Sequence, residues 1–204
     1  MRTERGLDRL VTFLDAVVAI AITLLVLPLV ELLGDDRPDD LGTLLGDHLA
    51  QFGSFALSFV VIARLWMAHH RLIEWVGNYD AASVWVNVAW AFTIVLLPFS
   101  SQVIAEYGTG RLSVGLYVGT IAASAVAAAV LAVLVRRRPE LRRDGVRAAD
   151  VDVVPALVAA GLLLLALLIG VAFRQVNFYA LLLLFLSTPA EWLVQRLAGR
   201  SGVS

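Results

Sequence analysis

Apolar runs long enough to cross a membrane recur six times along this chain, and that repetition limits the fold more than any single residue does. The runs cover about residues 10–33, 49–67, 81–105 (with a break at Leu97-Pro98-Phe99), 112–135, 153–173 and 178–197. A helix needs about 20 apolar residues to cross the hydrocarbon layer. Six spans would therefore take up roughly 120 of the residues and leave only short loops. The composition agrees: the chain is 60% hydrophobic and 16% charged, against about 45–50% and 25% in a soluble domain. No strand-type alternation appears, which argues against a barrel. The halves show no repeat. The first run is too long, and carries an aspartate, to read as a cleaved leader. The expectation is one all-α domain of six transmembrane helices.

Charge placement sets an orientation. All 16 basic residues are arginine. Twelve fall on one side, in the N-terminal segment, at Arg71, in the stretch 136–147 and near the C-terminus; Arg37, Arg111 and Arg174 fall on the other. Arginine-rich flanks stay on the cytoplasmic side, so both termini are expected there. The first outer loop is acidic, with Asp35, Asp36, Asp39, Asp40 and Asp47 after Glu31. A net charge of −1 gives no reason to expect nucleic acid. The chain has no cysteine and no lysine, which removes thiolate metal sites and Schiff-base chemistry. No nucleophile elbow, zinc-protease motif, dinucleotide fingerprint or P-loop occurs. The chain reads as a non-enzyme without a cofactor.

Polar residues inside the runs need a reason to be there. An ionisable group such as Asp15 costs about 2.5–3.5 kcal/mol at the centre of a span unless it is paired or solvated. Successive helical residues turn by about 100°. Ile20, Leu24 and Leu27 therefore form one stripe, with Thr23 about 60° to its side and Asp15 about 140° away. Asp15 and the stripe meet different surroundings. Asp15 reads foremost as a tie between helices, with the Arg64 guanidinium, an imidazole of His69 or His70, or the indole of Trp66 or Trp90 as donors. His69 and His70 are neighbours and point about 100° apart, so they lack the spacing of a metal pair. They read as one buried and one interfacial histidine, with pH sensing as an alternative. Alone, the Ile20 stripe reads as ordinary helix packing. The small residues Gly115, Gly119, Ala122 and Ala123 suit close helix approach.

Three motifs, in order, resemble the transmembrane protein 175 potassium channel family. Arg9, Phe13 and Asp15, followed by Ala19-Ile20 and Thr23, are similar to its R-x-x-x-F-S-D signature and the A-I-x-x-T after it. Trp66, His69, His70 and Arg71 are similar to its W-x-x-H-H-R. Asn87 and Leu96-Leu97-Pro98-Phe99 continue the likeness in the third run. Leu14 stands where the family has a serine, which removes one hydroxyl from the network around the signature.

The resemblance implies a homotetramer of six-span subunits, with the first helix of each lining a central pore. Carried onto this chain, Ile20, Leu24 and Leu27 become apolar rings at the constriction, and Thr23 adds a ring of hydroxyls. Glu31 and the acidic loop would enrich cations at the outer mouth. The permeant ion would be K⁺, with modest preference over Na⁺. The setting would be a bacterial plasma membrane, with lipid and a second copy of the chain as partners. A proton-coupled transporter using Asp15, Arg64 and His69 is the competing expectation. Against it, the chain lacks the repeats that many transporters show.

Overall fold

The computed structural model describes residues 4–34, 40–108 and 110–172. Within these, seven α-helices follow one another: α1 (Glu4–Leu24), α2 (Leu27–Glu31), α3 (Leu41–Asp47), α4 (Leu49–Ile73), α5 (Ala81–Tyr107), α6 (Arg111–Arg137) and α7 (Val154–Ala172). Five segments are long and apolar enough to cross a membrane, counting α1 and α2 together as Arg5–Glu31. The sixth expected run, residues 178–197, lies outside the described residues, as do Arg2, Arg37, Arg174, Arg196 and Arg200.

Several expected boundaries change, each for a physical reason. The first run is two helices rather than one. Proline at 28 has no N–H for the Leu24 carbonyl and its ring crowds that oxygen. The chain therefore tightens into i→i−3 bonds, Leu25 N to Ile22 O (3.3 Å) and Val26 N to Thr23 O (3.2 Å), before α2 begins. Pro98 acts differently. It was expected to break the third run, yet α5 passes through it unbroken. One missing donor is tolerated within a packed span. The second run was expected to end near 67, but α4 continues to Ile73 and takes His69, His70 and Arg71 into its last turns. The acidic loop is partly helical, because the Asp40 side chain caps α3 by accepting from Thr43 N at 2.9 Å.

Helix α6 is the most buried span and packs along both α5 and α7. Its small residues face the second contact. A Cβ placed on Gly115 would lie 3.5 Å from Val171, and one on Gly119 3.8 Å from Leu167, which is ordinary van der Waals distance, so alanine would fit at either position. In lipid, association rests on such van der Waals fit rather than on release of water. Helix α1 joins the bundle through Leu14, Val18, Ala21 and Leu25, all buried.

Another layer gathers at the end of the bundle where α4, α6 and the start of α5 meet. Leu72, Val76, Leu131, Val135, Val151 and Val153 form a small core there. The loop after α6 folds onto it, and Gly77 sits so close that an added Cβ would lie 2.6 Å from the Arg143 Cα. Asp80 caps α5: its carboxylate accepts from Ser83 N at 2.7 Å, while Ser83 Oγ accepts from Asp80 N. Its other oxygen receives the Arg138 guanidinium. The Ser83 backbone donor and then Arg138 hold this carboxyl below its ordinary 3.8.

Two outcomes follow from this end of the molecule. Gly77→Ala should lower the unfolding temperature of the purified protein, because two backbones must part; overpacking of this sort costs about 1–3 kcal/mol. Gly46→Ala, with nothing within 4 Å, should leave it unchanged. A carboxyl with a depressed folded-state pKa stabilises fully above its unfolded value and loses that contribution as pH falls through the folded one. Stability should therefore fall below about pH 4, and Asp80→Asn should flatten that acid limb in thermal melts.

Candidate pore-lining face and its polar ties

Helix α1 has two apolar faces with opposite surroundings. On the inner face, Leu14, Val18, Ala21 and Leu25 are no more than 6% exposed. On the other, Phe13, Ile20, Leu24 and Leu27 are 46–60% exposed. The break after Leu24 leaves Leu27 on α2, so the expected stripe is shared between two short helices. Thr23 lies exposed beside the stripe. Its hydroxyl donates to the Ile20 carbonyl at 2.8 Å. The proton is thus committed to the helix, which leaves the oxygen lone pairs available. Glu31 ends α2 and is exposed.

Behind Leu24 lies a small cavity of about 30 Å³, bounded by Leu25, Pro28, Ser54 and Ser101 among others. A space of this size can hold a water molecule. A line of hydroxyls leads inward from it. Ser101 meets Ser54 at 3.2 Å and Ser58 at 2.6 Å, and Ser58 meets the Tyr117 hydroxyl at 3.2 Å. Sequence reasoning missed this cluster. Ser54 and Ser58 share one face of α4, but only the packing of α4, α5 and α6 brings Ser101 and Tyr117 to them.

The expected polar residues separate into two ties. Asp15 accepts a hydrogen bond from Trp66 Nε1 at 2.8 Å, which links α1 to α4. Of the donors considered for it, the structure selects the Trp66 indole. The Trp66 ring lies 5.3 Å from that of His70, one turn further along α4. The second tie lies deeper. His69 Nε2 and Asn87 Oδ1 are 2.7 Å apart, joining α4 to α5, and the Asn87 amide donates to the Ser83 carbonyl. The His69 ring stacks on Trp90 with centroids 3.8 Å apart. His69, Asn87 and Trp90 are all buried. Arg64 is half-buried on α4, and Arg9 stands near the start of α1. No cluster of three or more metal-ligating side chains occurs among the described residues.

Five apolar segments of membrane-spanning length among the described residues, with large apolar side chains exposed on several of them, define a multi-pass membrane protein. Residues 9–98 match the family described as endosomal/lysosomal potassium channel TMEM175. A potassium channel of Streptomyces collinus is 32% identical over 99 residues, 48% of either chain. One of Chamaesiphon minutus is 33% identical over 135 residues, 61% of this chain and 63% of that one. The mouse endosomal/lysosomal proton channel TMEM175 is 28% identical over 122 residues, 57% of this chain and 24% of that one. The matches thus span about half to two thirds of the bacterial relatives and a quarter of the mouse protein. The crystal structure of a lysosomal potassium-selective channel TMEM175 homologue from Chamaesiphon minutus has the same fold, with a TM-score of 0.70 at 24% identity, over 98% of this chain and all of that one. The matched stretch carries most of α1, all of α2 to α4 and most of α5, and it is the same stretch that holds the motifs of the first three runs.

The second tie can be tested alone. Asn87→Ala leaves a buried imidazole without its partner, and an unsatisfied buried polar group costs about 1–3 kcal/mol. The variant should unfold at lower temperature, and Asn87→Gln should not restore it, because the longer amide cannot reach both His69 and the Ser83 carbonyl.

Proposed function

We propose that this chain is the subunit of a homotetrameric, potassium-permeable cation channel. The observation that carries the reading is the exposed stripe of Ile20 and Leu24 on α1, continued by Leu27 on α2, with Leu14, Val18 and Ala21 packed on a separate face of α1. In hydrocarbon, an exposed apolar face needs no protein partner. Here, however, that face belongs to the helix with the family signature. Similar chains are named potassium channels.

The mechanism follows from side-chain chemistry. Four copies of the stripe around one axis make narrow apolar rings, and such rings dewet and block ions when tight. When dilated they pass a partly hydrated cation. K⁺ holds its water less tightly than Na⁺ and loses less in squeezing through. Leucine and isoleucine cannot replace lost water, so selectivity is modest. The Thr23 oxygens, with their protons tied to the Ile20 carbonyl, replace part of it. Glu31 and the acidic loop raise the cation concentration at the outer mouth. Asp15 holds α1 to α4 through Trp66 and stays out of the conduction path. Both termini face the cytoplasm of a bacterial cell, as the arginine distribution favours.

Proton passage is the second reading, favoured by relatives named as proton channels. A proton-coupled transporter would use Asp15 and His69 together. Against this, the two side chains have separate partners, Trp66 and Asn87.

Purified protein in K⁺-loaded liposomes should release K⁺ without valinomycin, with flux linear in gradient; saturating flux that requires a pH gradient would favour the transporter. Ile20→Ala should raise Na⁺ permeation, and Thr23→Val should cut the K⁺ preference several-fold, both read as reversal potentials. Unchanged potentials in both variants would reject the assignment. Asp15→Ala should reduce assembled protein on size-exclusion chromatography and leave the reversal potential in place.

A further inference from the structure

The loop that joins α6 to α7 is a built surface. Leu141 and Val151 are fully buried. The Leu141 carbonyl accepts from Gly77 N at 3.0 Å, and Arg143 N donates to the Trp75 carbonyl at 2.9 Å. Val76 and Arg142 pair as an isolated antiparallel bridge. The backbone at Leu141–Arg143 is thus held against the turn between α4 and α5.

Six arginines occupy residues 136–147. Arg138 is neutralised by Asp80 and Arg147 by Asp150. Arg142 donates to the Arg136 carbonyl at 2.9 Å, which turns its guanidinium back towards the end of α6. Arg136, Arg137 and Arg143 are exposed and have no side-chain partner among the described residues. Of the other carboxylates of the loop, Asp152 accepts from Val154 N at 3.1 Å, and Glu140 and Asp144 are exposed with no side-chain partner among the described residues. Four arginines therefore face two unpaired acids. Arg136 and Arg137 close a 27-residue helix of membrane-spanning length, so they stand at the level of the lipid headgroups. Trp75, half-buried in the adjoining turn, belongs to a residue type that collects at this boundary.

We propose that Arg136, Arg137, Arg142 and Arg143 form a binding surface for the phosphate of anionic phospholipid headgroups. The guanidinium fork matches a phosphate in two parallel hydrogen bonds, and the docked backbone brings the residues that carry several forks together before the lipid arrives. The surface depends on α6 spanning the bilayer, not on ion conduction, so a failure of the flux assays leaves it standing.

The test uses the full chain in a neutral detergent, with unfolding temperature as the readout. Added phosphatidylglycerol should raise it by several degrees more than phosphatidylcholine, and the difference should shrink as NaCl is raised. Arg136→Gln/Arg137→Gln/Arg143→Gln should lose most of that difference. Glu140→Gln/Asp144→Asn, which removes the opposing acids, should enlarge it; this variant also decides the matter if the arginine variant does not fold. Equal gains from the two lipids, a gain indifferent to salt, the same gain from inorganic phosphate, or a gain unchanged in the acid-neutralised variant would each overturn the proposal.

Discussion

A single helix with two apolar faces organises this molecule. Leu14, Val18, Ala21 and Leu25 fix α1 to the bundle, and they fix its rotation as well. Once that face is packed, the helical period puts Ile20 and Leu24 about a third of a turn away from it, and Leu27 follows on α2 beyond the break. No residue of the inner face can change much in volume without turning or shifting the outer one. The conduction path we propose is therefore specified by side chains that an ion would never meet.

Polar groups add direction to this packing. Asp15 meeting the Trp66 indole at 2.8 Å allows one register between α1 and α4. His69 with Asn87, stacked on Trp90, sets α4 against α5 in the same way. Pro28 then interrupts α1 close to the proposed constriction, next to a small cavity with serines on its wall. The helix is rigid where it is tied and irregular where the stripe ends.

Much of this could be read from the residues. Hydrophobic length pointed to an all-helical membrane chain, and five segments of membrane-spanning length stand among the described residues, because crossing a bilayer imposes a length whatever the sequence. The wheel separated Asp15 from Ile20 because both lie on one regular helix. What escaped depended on tertiary contact. Trp66 was one of several donors at similar depth, and only packing chose it. Leu14, noted for the serine it replaces, proves to belong to the buried face of α1, where a methyl-rich side chain packs and a hydroxyl would need an acceptor. The fold of the arginine-rich loop was invisible, since its bridge to Val76 joins segments 66 residues apart with no shared pattern. The effect of Pro98 was misjudged because a proline removes one donor but does not dictate that the surrounding helix must end.

The central claim is that copies of the Ile20 face converge on one axis that ions follow. The chain contains no cysteine, so a single introduced thiol reports without background. Potassium flux through Ile20→Cys should be blocked by Zn²⁺, which thiolates from neighbouring subunits would bind tetrahedrally. Val18→Cys, on the packed face, should conduct and ignore the metal. If Ile20→Cys conducts and Zn²⁺ has no effect on it, Ile20 does not face a shared pore and the account is wrong.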